Sequence, residues 1–156
     1  MMSKKLYRPN VAIIVLHSDY PKNREIFIAK RNDMRGIWQF PQGGIDKGEK
    51  AKEAMFRELE EEIGTSKVKI ISKYPEWIEY DFPKNSAKRL KPYAGQKQRY
   101  YLVKLKKSAQ INIKTKHPEF SKYKFVKLDN LFDNIKHFKK PIYKKVIKHF
   151  INEGYL

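Results

Sequence analysis

Gly43-Gly-Ile-Asp-Lys-Gly-Glu-Lys-Ala-Lys-Glu-Ala-Met-Phe-Arg-Glu-Leu-Glu-Glu-Glu-Ile-Gly-Thr65 is the stretch on which the reading of this chain turns. A glycine-rich loop runs into a segment of strong helix formers, and Gly64 stands where a helix would end. At about 100° per residue, Glu58, Glu61 and Glu62 share one arc, with the small residues Ala51 and Ala54 beneath it. Met55, Phe56, Leu59 and Ile63 occupy the neighbouring arc and are predicted to face a core. Glu60 points elsewhere, to solvent.

Carboxylates three and four residues apart repel one another, and the helix dipole disfavours anions near a C-terminus. A Lys four positions further on would relieve the strain, but Thr65 and Ser66 stand there. A hard divalent cation relieves it, since Mg²⁺ takes carboxylate oxygens and leaves coordination sites for water and phosphate. An acidic run alone is commonly just a solvated helix face. The glycines that precede this one point instead to a built site.

Outward from this stretch, the chain reads as one domain over residues 1–156. Its 40% apolar composition suffices for a proper core. The absence of cysteine excludes a disulfide framework and thiol catalysis, and fits a reducing compartment. The longest aliphatic run, Val11 to Leu16, is far too short to span a bilayer. The basic start, Met1 to Arg8, leads into no apolar leader or cleavage site, so a cytoplasmic protein without a membrane partner is expected. The net charge of +18 permits a polyanionic partner, although 28 of the 35 basic residues are Lys, a mix that codon bias alone can produce.

Val11–Leu16 is predicted to be a strand buried on both faces, with Glu25–Arg31 returning beside it. Trp38–Phe40, Val68–Tyr74, Trp77–Phe82, Arg99–Leu105 and Tyr123–Leu128 read as further strands. Residues 83–97 are predicted to form an exposed loop, and residues 106–118 an irregular one. Asp129 is expected to cap a short helix through Ile135. A last helix is expected with Pro141 in its first turn and a stripe of Ile142, Val146, Ile147, Phe150 and Ile151. Strands around a central acidic helix imply an α/β fold with a mixed sheet between helical layers.

The spacing of Gly43, Glu49, Arg57, Glu58, Leu59, Glu61, Glu62 and Gly64 resembles the signature box of the Nudix hydrolases. Only Thr65, in a slot that is usually aliphatic, departs from it. The resemblance implies a single-domain α/β/α sandwich and hydrolysis of phosphoric anhydrides with Mg²⁺, or with Mn²⁺ in its place. It implies Gly43, Glu58, Glu61, Glu62 and Glu119 as metal ligands, Gly43 through its carbonyl, and Arg57 as an orienting partner. Glu58, Glu62 and Glu119 are all candidates for the general base, the last because it sits in a Pro118-Glu119-Phe120 context before a late strand. The four histidines share no metal-ligand spacing and receive no role.

Four further islands resemble the bacterial RNA pyrophosphohydrolase branch of that family, whose members prime RNA decay by trimming 5′-triphosphate ends. They are Tyr7 to Val11, Trp38 to Gly44, Gly95 to Arg99, and Phe138-Lys139 with Tyr143. The partner implied is RNA with a 5′-triphosphate or diphosphate. Arg8 and Lys139 would offer cations to phosphate oxygens, and Gln96 a hydrogen bond to phosphate or base. Arg31 and Phe138 would offer flat faces to an unstacked base. Two other readings remain. A dinucleoside polyphosphate such as diadenosine tetraphosphate would suit the same acidic helix. A binding module without catalysis would have no reason to keep Glu58, Glu61 and Glu62 together with Arg57.

Overall fold

A computed structural model describes residues 5–84 and 92–156. The basic start at 1–4 and residues 85–91 of the predicted loop lie outside it. One eight-stranded mixed sheet carries the fold, with strand order β3-β2-β1-β7-β5. β4 also pairs with β1, β6 with β7, and β8 with β2. The strands are β1 (Tyr7–Leu16), β2 (Ile26–Arg31), β3 (Trp38–Gln39), β4 (Gln42–Gly44), β5 (Val68–Lys73), β6 (Ile78–Asp81), β7 (Gly95–Leu105) and β8 (Phe120–Val126). Three helices stand among the described residues: α1 (Ala51–Ile63), α2 (Leu128–Asn134) and α3 (Lys140–Asn152). None is long and apolar enough to cross a membrane.

β1 is the middle of the molecule because from Asn10 to Leu16 water reaches neither of its faces. Val11, Ile13 and Val15 pack with Ala54, Met55, Leu59 and Ile63 of α1. Ala12, Ile14 and Leu16 pack with Leu131 of α2 and Tyr143, Val146, Ile147 and Phe150 of α3. An unbroken apolar run follows from burial on both sides. Each fully buried large side chain contributes roughly 1.5–3 kcal/mol to holding the layers together. The helices therefore lie on opposite faces of the sheet, which is the α/β/α sandwich expected.

α1 begins where the Lys50 N–H donates to the Glu53 carboxylate (3.2 Å). It ends at Gly64, which turns left-handed (φ 77°) while its N–H donates to the Glu60 carbonyl (3.2 Å). α3 begins directly after Lys139, with Pro141 in its first turn.

Three local expectations are corrected. Asp129 does not cap α2; Lys127 holds that position and Asp129 lies in the first turn. Gln42–Gly44 is a strand rather than the start of a loop, since β1 offers it an edge and pairs Val11 with Gly43. Gly95–Lys97 likewise belongs to β7 rather than to the loop, because the parallel ladder with β1 runs from Tyr7–Gly95 to Leu16–Lys104.

Candidate active site

Arg57 fastens the glycine-rich loop to α1. Its Nε and Nη2 donate to the two oxygens of Glu49 (2.8 and 2.9 Å), and Nη2 also reaches the Gly44 carbonyl (2.8 Å). Its Nη1 donates to Glu58 (2.9 Å) and Glu61 (3.2 Å). Glu49 in turn accepts from the Asp46 N–H (3.0 Å). Arg57 and that amide hold its carboxyl down to about 2. Arg57 thus works as a clamp between loop and helix.

Glu58 and Glu62 are buried, one turn apart on the face of α1 that meets β4. The approach is so close that a Cβ on Gly43 would fall onto the Glu58 carboxylate. Burial, opposed by Arg57, pushes the Glu58 carboxyl up to about 7. Glu62 is raised well above the usual carboxylate range by burial and then by the neighbouring carboxylate of Glu119, which comes from the loop before β8. The Glu62 Oε2 accepts from the Gln42 N–H (3.1 Å), while Oε1 is buried without a hydrogen-bond partner. Glu61 stands apart from these, exposed and turned to Arg57. Among the described residues, no three acidic or histidine side chains are grouped tightly enough to hold an ion in these orientations. An all-oxygen donor set with an unsatisfied buried carboxylate oxygen nonetheless fits a hard divalent cation.

On the other side of Gln42 lies a cation that water barely touches. Lys139 is buried, and its Nζ donates to the Gln42 Oε1 and sits 5.1 Å from the centre of the Tyr80 ring. Burial, helped by the nearby charge of Arg31 and opposed by Glu62, brings its ammonium down to about 7. The Gln42 side chain also accepts from Gln98 Nε2 (3.1 Å), which donates to Asn10 as well (2.8 Å). The Tyr100 hydroxyl closes this buried chain on Gln98 Oε1 (2.8 Å). Sequence reasoning placed Asn10, Gln42 and Gln98 in the islands named above but gave them no role, and it passed over Tyr80.

The remaining predicted residues surround Lys139 or the loop. Gln96 is buried and its Oε1 accepts from the Tyr80 hydroxyl. Phe138 is exposed, its ring 5.5 Å from that of Tyr80, so it is no core aromatic. Arg31 sits at a register shift between β2 and β8 and donates to both oxygens of Asp33 (2.8 and 2.6 Å). Arg8 lies over Gly44, where a Cβ would strike its guanidinium. His137 accepts from the Lys139 N–H (3.3 Å) through Nδ1 and meets the Trp38 carbonyl through Nε2 (3.0 Å). Burial and then Lys139 push it down to about 4, so at neutral pH it is an uncharged brace. The cavity lined by Pro21, Asn23, Leu128 and Leu156 lies at the Ile26 end of β2, away from the carboxylates at its Arg31 end.

A three-layer fold that sets carboxylates on one side of a glutamine and a buried cation on the other has the chemistry that a phosphoric anhydride asks for, and the family match makes the chain a Nudix hydrolase. The chain belongs to the NUDIX family, whose domain matches residues 6–150. Members of this family generally use divalent metal ions. It is 62% identical over 156 residues to an RNA pyrophosphohydrolase of Campylobacter jejuni subsp. doylei, covering 100% of both chains. It is 60% identical over 154 residues to an RNA pyrophosphohydrolase of Nitratiruptor sp., covering 99% of both. The fold superposes on E. coli dihydroneopterin triphosphate pyrophosphohydrolase with a TM-score of 0.70 at 20% identity, covering 92% of this chain and 99% of that one.

Proposed function

We propose that this chain is an RNA pyrophosphohydrolase that converts 5′-triphosphate or 5′-diphosphate RNA to 5′-monophosphate RNA, with Mg²⁺ as its ion and Mn²⁺ as a substitute. One observation carries the reading. Gln42 joins the two halves of the site, its N–H on Glu62 and its side-chain oxygen on Lys139, so acid and cation are held across a single residue. A polyphosphate needs both. The exposed Phe138 ring beside that junction supports a substrate that brings a base. So does the full-length likeness to relatives named for this activity. The reading places the protein in the cytoplasm, with RNA as its partner.

The Gly43 carbonyl and the carboxylates of Glu58, Glu61, Glu62 and Glu119 would hold the ion. When bound, it would neutralise phosphate charge and acidify a water. Arg57 keeps Glu58 in place. Arg8 and Lys139 bind phosphate oxygens, with Gln96 donating beside them, and Arg31 and Phe138 stack on the base. The proton of the attacking water passes to one carboxylate of Glu58, Glu62 and Glu119.

Thin-layer separation after incubation of 5′-labelled triphosphate RNA with Mg²⁺ tests this, with diadenosine tetraphosphate as competitor substrate. Monophosphate RNA is expected. A clear preference for the dinucleotide would change the substrate, and intact RNA after prolonged incubation with Mg²⁺ or Mn²⁺ would leave only a binding module. Gly43→Ala is expected to lower turnover about 100-fold, because its methyl group displaces the Glu58 carboxylate by the order of an ångström. Its thermal midpoint should change little, since a side-chain end gives way rather than backbone. Turnover at the wild-type rate would show that the closeness of Gly43 and Glu58 has no catalytic use.

A further inference from the structure

Trp77, just before β6, is the exposed tryptophan of the described chain, with 41% of its surface open. Two cations lie over its ring: the Arg99 guanidinium at 5.2 Å from the centroid and the Lys97 ammonium at 5.5 Å. Arg99 is further fixed by donating to the Pro75 carbonyl (3.2 Å). The sheet register places this group on a definite face. Ile78 pairs with Gln98, and both turn toward the α3 layer, so Trp77, Lys97 and Arg99 turn toward the α1 layer. Gly43, which meets Glu58 of α1, looks out on the same side. Gly43 is in register with Val11, and Val11 with Arg99. Two strand spacings therefore separate Gly43 from Arg99, about 10 Å, and β6 lies one spacing beyond.

We propose that Trp77, with Lys97 and Arg99, is a stacking platform for the nucleotides that follow the 5′ end of an RNA substrate. The inference rests on the RNA reading above and extends it from the reacting phosphates to the strand behind them. An open indole takes any base by its face, and the two cations meet the phosphates on either side of that base. Among the described residues, the one acid paired in register with these cations is Glu79, opposite Lys97. Lys73, exposed and in register with Tyr101, extends the positive strip along the same side.

The test compares a triphosphorylated dinucleotide with a triphosphorylated single strand of about ten nucleotides. For Trp77→Ala, KM for the longer RNA is expected to rise about tenfold with kcat unchanged, while KM for the dinucleotide stays put. Trp77→Phe should recover most of the loss, and Lys97→Gln should flatten the salt dependence for the longer RNA alone. Unchanged KM for the longer RNA in Trp77→Ala, or an equal rise for both lengths, would overturn the platform. Failure of the unaltered protein to hydrolyse either RNA would instead overturn the reading on which the platform rests.

Discussion

Glu62→Gln is expected to lower turnover of triphosphorylated RNA about 1000-fold while raising the melting temperature of the metal-free protein. The two effects have one cause. Glu62 is 2% exposed, carries a carboxyl raised well above its usual range by burial and by Glu119, and has one oxygen without a partner. A buried acid whose pKa is raised on folding gives its full stability below the unfolded value near 4.5. That stability is lost as pH rises through the folded pKa. At pH 8 the metal-free fold thus bears a cost that the uncharged amide removes. Gln keeps the shape and can still accept from the Gln42 N–H. Turnover with Mg²⁺, and thermal melts at pH 8 in chelator, check the two halves. A variant that hydrolysed RNA at the wild-type rate would remove Glu62 from the chemistry.

Lys139→Met should lower kcat/KM between about 10- and 100-fold, the effect of one lost hydrogen bond to a charged group. The methionine stem fills the same space under Tyr80, so the fold persists. The pH profile gives the sharper reading. Lys139 falls from its ordinary 10.5 to about 7, chiefly through burial. In the free protein its contribution to stability is present above 10.5 and is lost as pH falls to about 7. Phosphate binding asks for the ammonium, so kcat/KM should fall as pH rises past about 7 in the wild type. In Lys139→Met that limb should be missing. An unchanged limb would assign it to another group.

Much of this arrangement was legible in the residues, and what escaped did so for physical reasons. Val11–Leu16 announced a strand because a run without alternation is what two covered faces produce. Gly64 announced the end of α1 because only glycine turns left-handed there without strain. β4 gave no such sign, since a strand of one glutamine and two glycines has almost no side chains to pattern, and it forms because β1 lends it an edge. The start of β7 read as loop because Gln96 and Gln98 are polar, yet both are buried in hydrogen bonds that no periodicity reveals. The helical wheel brought Glu58, Glu61 and Glu62 to one side. It could not show that Arg57 draws Glu61 outward while Gln42 anchors Glu62. Lys139 was expected to meet phosphate, but nothing in the residues around it showed that it is buried while its neighbour Phe138 stays outside.

The parallel ladder between β1 and β7 has a consequence for synthesis. Asn10 and Gln98 are hydrogen-bonded although 88 positions separate them. As the polypeptide leaves the ribosome, β1 comes out well ahead of the strand that closes one of its edges. Contacts this distant in sequence slow folding, and an apolar strand with a bare edge invites association with other nascent chains. The glutamine chain that steadies Lys139 is completed by the same late strand. A polypeptide released before β7 therefore carries the acidic helix but neither Gln98 nor Lys139.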